Sequence, residues 1–301
     1  MDILTILRGL CVVGAILTAV LMVSAYKRQL AAPGGKEKID AEKKHAVYNG
    51  IVGIVAYFFD TLGIGSYAIA SSAYKIRKSV PDELIPGTLN VGGCIPVLLE
   101  AFLFFGFVEV DTLTLITMVA AQVVGALVGA GIVTKWDAHK IRLGMGFGLL
   151  VLGIIMALKT LGVGPFSGGT GDALGLSGVT LVIAIVICFF LGAFMNIGIG
   201  AYAPTLALVS ILGMNVGAAF PIMMGGCAFL MAFGNVPKFL KENKIDMMAS
   251  IATTILGCAG VLIAYFLVKS LPVAKLMWLV IAVVIYTSIL FLRDAFKNQN
   301  N

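Results

Sequence analysis

The stretch "FDTLGIGSYAIA" at 59–70 sets an acid, Asp60, and two glycines, Gly63 and Gly65, ahead of Ser66 and Tyr67 within an apolar run. Residues 194–205, "FMNIGIGAYAPT", repeat the pattern with Asn196, Gly198, Gly200, Ala201 and Tyr202. Glycine has no Cβ and accepts positive φ, so G-x-G lets a helix break and restart. A restarted helix presents free N–H groups and the positive end of its dipole, which suits a small anion. Non-helical backbone at membrane depth is tolerated only where it is buried in protein or lines a polar cavity. The candidate substrate-binding residues are therefore Gly63, Gly65, Ser66, Tyr67, Gly198, Gly200, Ala201 and Tyr202. Asn90 and Asn196, polar in apolar surroundings, complete the set. A lone G-x-G would fit close helix crossing equally well. Two copies at one spacing favour a site.

Asp60 has a different role in view. An ionisable group beside a broken helix is a functional candidate by default. Burial and a nearby anion both oppose its charged form, so it is the candidate proton-coupling residue. Its counterpart in the second copy is Met195, so the fold does not require an acid there. The plainer readings are that Asp60 caps the loop or helps hold sodium. Asn90 and Gln122 fit interhelical hydrogen bonds as readily as substrate contact. Glu100, nearer the outer end of its stretch, reads as solvated.

No HExxH, Walker A sequence or G-x-S-x-G beside a plausible base is present, so no catalytic residue and no direct use of ATP is indicated. The five cysteines form no CxxC, and His45 and His139 sit in or beside basic loops, which implies no disulfide framework, metal site or cofactor. "GGC" at 92–94 and again at 225–227 reads as small-residue helix packing.

What must position these residues is a membrane fold. The 301 residues are 60% hydrophobic and 12% charged, with mean hydropathy +1.04. Apolar stretches near 3–25, 84–107, 112–134, 139–160, 178–197, 216–234, 246–268 and 274–292 each have the length of a membrane span, about 20 residues. The expectation is an all-α polytopic membrane protein, one transmembrane domain over 1–301. Asp2 and a single Arg favour a retained first span over a cleaved signal. The net charge of +6 marks cytoplasmic loops rather than nucleic-acid binding. The run at 27–45 is expected to be a solvated cytoplasmic loop, irregular at Pro33–Gly35 and followed by a short polar helix.

The two glycine segments belong to a longer repeat. Gly63 recurs as Gly198 and Gly65 as Gly200, an offset of 135 residues that also relates Pro86 to Pro221, Asp111 to Asp246 and Lys140 to Lys275. Compositional bias would not hold Pro, Asp and Lys in register. The reading is a duplication, with repeats at 46–160 and 178–295 and an extra amino-terminal span at 1–26. Gly125 and Gly260, away from the breaks, are expected to tolerate alanine better than Gly65 or Gly200 tolerates leucine. If the broken segments turn back to the side they entered, only Arg8, Lys159, Lys269 and Lys275 of the 21 basic residues fall outside. The positive-inside rule prefers that model. Each repeat then holds one re-entrant element and three spans, an odd number, so the repeats are inverted, as in many secondary transporters.

On the segments "LGIGSYAIA" and "IGIGAYAPTLAL", each followed by a Pro-bearing stretch and a GG pair, the chain resembles the TauE/SafE family of sulfite exporters and anion permeases over most of 46–292. The resemblance implies transport of sulfite, a sulfonate or a related organosulfur or short organic acid. With Asp60 as coupling group, the expectation is a proton-coupled secondary transporter in the plasma (inner) membrane. An anion channel, or a sodium-coupled carrier of another small solute, is the alternative. Its partners are the small anion and the lipid bilayer, and the sequence assigns no oligomeric state.

Overall fold

The structure, a computed structural model, describes residues 2–133, 138–161, 171–195 and 201–297. Its regular elements are helices: α1 (Ile3–Ala31), α2 (Gly35–Lys43), α3 (Ala46–Thr61), α4 (Ser66–Arg77), α5 (Ile85–Phe104), α6 (Thr112–Val133), α7 (Ala138–Thr160), α8 (Gly178–Phe194), α9 (Tyr202–Ile211), α10 (Ala219–Leu230), α11 (Val236–Glu242), α12 (Met247–Lys269) and α13 (Val273–Lys297). A π turn at Met231–Asn235 joins α10 to α11. Among the described residues there is no β-strand, only an isolated bridge between Ala173 and Met214. Among the described residues, five helical stretches are long and apolar enough to cross a membrane: Ile3–Ala31, Asp82–Phe104, Val216–Glu242, Met247–Lys269 and Met277–Phe296. This is the make-up of a multi-pass membrane protein.

The chain forms two compact units. The first holds residues 1–61, 65–105 and 227–267. Within it, α4 folds back along α3: the Tyr48 hydroxyl donates to the Ala73 carbonyl at 3.0 Å, and the Arg77 guanidinium lies 4.8 Å over the Tyr48 ring. Helix α12 seats against glycines of α3, where a Cβ on Gly53 would stand 3.1 Å from the Thr253 Cα. Helix α1 packs on α5, with the Thr18 hydroxyl 3.3 Å from the Cys94 thiol. It continues to Ala31 rather than giving way to loop at residue 27, because Arg28 donates to the Leu240 carbonyl and Gln29 to Asn243. The expected short polar helix is α2. Its Glu42 accepts from the Met247 and Met248 N–H groups at 3.0 and 3.2 Å, capping α12 from outside the helix.

The second unit holds residues 62–64, 106–226 and 268–301. The Ala173 carbonyl, ahead of α8, accepts from Asn215 at 2.9 Å, just after α9. Asp111, the N-cap of α6, donates its own N–H to Leu174 at 2.7 Å. Helix α9 thus ends beside the start of α8, as α4 ends beside the start of α3 in the first unit.

Several contacts recur at the 135-residue offset. Asp111 Oδ1 accepts from Thr114 N at 2.8 Å, and Asp246 Oδ1 accepts from Ala249 N at 2.8 Å. Helices α4 and α9 are both followed by a left-handed residue, Lys78 at φ 50° directly after α4 and Gly213 at φ 78° one residue beyond Leu212. The N–H of the next residue then reaches back to close the last turn, Ser79 to Tyr74 and Met214 to Val209. Gly125 sits on the Phe189 backbone in the second unit and Gly260 on the Ile54 backbone in the first, so a Cβ at either would strike a carbonyl oxygen. Both glycines thus sit where two helices touch main chain to main chain, and alanine at either would force those helices apart. The exchange has a second meaning. Each unit takes helices from both halves of the sequence, α12 joining α3–α5 in one, and α6 and α7 joining α8 and α9 in the other.

Candidate functional site

Helix α3 ends at Thr61 and α4 begins at Ser66, with Gly63 and Gly65 both at φ +93° between them. An L side chain rarely takes that backbone conformation, so glycine is what lets the chain turn here. Among the described residues, a Cβ on Gly65 would meet no heavy atom within 4 Å. The Ser66 N–H, first of α4, donates to Asp60 Oδ1 at 2.5 Å. Both residues are buried, Ser66 at 1% and Asp60 at 4% exposure. The carboxylate thus sits on the positive end of the helix that follows it. Tyr67, the next residue of α4, is half-buried.

Two residues not placed here from sequence belong to the cluster. Glu100 is fully buried, and the Thr61 hydroxyl lies 2.8 Å from its Oε1 and 2.8 Å from the Tyr57 carbonyl. The expectation of a solvated Glu100 is corrected: α5 turns it inward, toward the residue next to Asp60. Tyr57 is also fully buried, and among the described residues its hydroxyl has no hydrogen-bond partner. Asp60, Ser66 and Tyr67 are its polar neighbours, and it fits only because position 93 is glycine. The signal for Tyr57 was its spacing, three residues before Asp60 and so on one helix face. The signal for Glu100 was an acid inside an apolar run.

In the second unit, Ala201 and Tyr202 are buried at the start of α9, and Pro204 falls in its first turn. The Thr205 hydroxyl donates to the Ala201 carbonyl at 2.8 Å and lies 3.3 Å from Gln122 Nε2. Gln122 Oε1 is buried without a partner among the described residues, and Gly226 makes room for this amide. Asn196, Gly198 and Gly200 lie outside the described residues. Asn90 is engaged within the first unit: its Nδ2 donates to Pro86 O and its Oδ1 accepts from Asn235, both at 2.9 Å. The two GG pairs thus serve packing, one beside Tyr57 and one beside Gln122. Among the described residues, no three His, Cys, Asp or Glu side chains converge to hold a metal.

No protein-family model matches the chain, and neither a curated protein nor a solved structure does. The fold and site define a multi-pass helical membrane protein with a buried carboxylate set on a helix break.

Proposed function

We propose that the chain is a secondary transporter of a small anion, coupled to protons through Asp60. One observation carries the reading: the buried amino terminus of α4, opened by Gly63 and Gly65, has its first N–H held by the buried Asp60 carboxylate. That N–H is the donor an incoming anion needs. An ionised Asp60 therefore competes with substrate for it. Once protonated, Asp60 is a weaker acceptor and no longer repels an anion, so the N–H becomes available. Anion binding and Asp60 protonation then favour each other by linkage.

Two inverted repeats with re-entrant helices are part of the proposal. In their support, the Tyr48–Ala73 bond joins the start of α3 to the end of α4, and the strand-like contact of Ala173 with 213–215 joins the start of α8 to the end of α9. A segment that returns to its own side adds no crossing, which leaves three spans per copy and reverses the second. The positive-inside rule then makes the α2 side cytoplasmic. The substrate class, sulfite, a sulfonate or a short organic acid, rests on the resemblance to the TauE/SafE family, and the plasma (inner) membrane is the proposed location.

The test is uptake of labelled sulfite, sulfonates and short carboxylates by purified protein in liposomes, with and without a pH gradient. Saturable uptake that grows with the gradient is expected. Non-saturating flux would indicate a channel, and a response to sodium alone would move the coupling from protons to sodium. No flux of any of these anions would sink the proposal.

A further inference from the structure

We infer that a buried polar stripe in the first unit, running through Asn49, Tyr74, Thr253 and Tyr57, carries protons from the α2 face to Asp60. This rests on the proton-coupled reading above and adds the route.

Asn49, Tyr57 and Asp60 lie on the buried face of α3. Near the start of that helix, the Thr253 hydroxyl lies 3.5 Å from the Asn49 carbonyl and 2.9 Å from the Tyr74 hydroxyl. On α5, a Cβ on Gly92 would stand 3.2 Å from the Thr253 Cβ and one on Gly93 would overlap the Tyr57 hydroxyl, so adjacent glycines seat Thr253 and Tyr57 in succession. Tyr57 lies about one turn before Asp60 on the same buried face of α3, and the Ser66 N–H from α4 donates to the Asp60 carboxylate. At the outer end, Asp246 lies beside Glu42, and Lys38 approaches Glu42 at 3.8 Å. Hydroxyls and carboxyls therefore follow one another from the α2 face to the helix break.

Two features argue that water completes the chain. Both polar atoms of the Asn49 amide and the Tyr57 hydroxyl are fully buried with no partner among the described residues. Leaving such groups unsatisfied in the interior is costly, and ordered water is the usual remedy. Hydroxyls bridged by water can pass a proton without themselves becoming charged.

The second half of the sequence supplies an internal control. At the 135-residue offset, Asn49 corresponds to Ala184, Tyr57 to Gly192, Asp60 to Met195, Tyr74 to Val209 and Thr253 to Met118. The related helices of the second unit form with no polar group at any of these positions. The stripe is not a requirement of helix packing, and it ends where the one acid of the break sits.

The test compares native protein with Tyr74→Phe and Asn49→Ala in liposomes, using sulfite as probe anion. Sulfite self-exchange needs no net proton movement, whereas uptake driven by a pH gradient does. The route predicts gradient-driven uptake slowed about tenfold or more, with self-exchange within about twofold of native. Unchanged gradient-driven uptake in both variants would overturn it, as would an equal fall in exchange and uptake. If native protein carries no sulfite, the transport reading fails but the route stays testable. Deuterium exchange of the Asp60 carboxyl, assigned by infrared difference against Asp60→Asn, should slow in Tyr57→Phe. An unaltered exchange rate would remove the route by itself.

Discussion

Gly125 and Phe189 meet main chain to main chain, leaving no room for a Cβ at position 125. Gly260 and Ile54 repeat the relation in the first unit. Gly125→Ala and Gly260→Ala are each expected to cost about 1–3 kcal/mol through forced helix separation. Gly144→Ala, with nothing within 4 Å of the added carbon among the described residues, is the control. Thermal unfolding in detergent reads the difference, and three equal midpoints would remove the packing explanation.

The return of α4 along α3 predicts labelling from one side. Single cysteines at Lys36 and Lys78, in a background without native cysteines, should react with an impermeant thiol reagent from the cytoplasmic face only. A cysteine at Lys269 should react from the other. Labelling of the Lys78 site from outside alone would end the re-entrant model and the inverted repeat with it.

Gly65 separates space from conformation. Alanine finds room there but not an acceptable φ, so Gly65→Ala should weaken the break by about 1–3 kcal/mol of strain and reduce anion uptake. Gly65→Leu fills the opening beside the Ser66 amide as well and should abolish uptake. Native uptake in the leucine variant, at native expression, would place the anion elsewhere.

Asp60→Asn removes the charge while keeping the shape. The variant should still bind and exchange the anion, and its flux should no longer follow a proton gradient. A surviving gradient response would acquit Asp60 of coupling.

Glu42 and Asp246 predict a pH effect on stability. Burial and the neighbouring Asp246 charge push the Glu42 carboxyl above its usual range, and burial does the same for Asp246. A raised folded value means the native state binds more protons than the unfolded chain. The contribution of these groups is thus fullest below the ordinary carboxylate value, about 4, and falls as pH rises through that value toward the raised ones. Glu42→Gln keeps an acceptor for the Met247 and Met248 N–H groups and drops the repulsion. It should melt a few degrees higher than native protein near neutral pH, with a flatter pH profile. A lower midpoint at every pH would show that the charge on the α12 terminus outweighs its burial.

Apolar run lengths made the helices legible, five of them span-length among the described residues, while those near 112–134, 139–160 and 178–197 have only shorter apolar cores; matched Pro, Asp and Lys positions made the 135-residue offset legible. The break at Gly63 and Gly65 was legible because two glycines inside a span have few other uses. Tyr57 and Glu100 were not, because an aromatic in an apolar run looks like core and an acid near the end of a run looks wet. Only the turn of α5 and the gap at Gly93 bring them to Asp60. The glycines touching carbonyls at Gly125 and Gly260 escaped for a related reason: close approach of two backbones leaves no mark on either segment alone.

The exchange of helices between the two halves bears on how the protein is made. When α3 and α4 leave the ribosome, α12, the helix that seats against Gly50 and Gly53, has not yet been synthesised. The first hairpin must wait, unclosed, while most of the remaining chain is made. Neither half is then a self-sufficient folding module, and the gene duplication that the repeat suggests would have succeeded only by letting each copy finish the other.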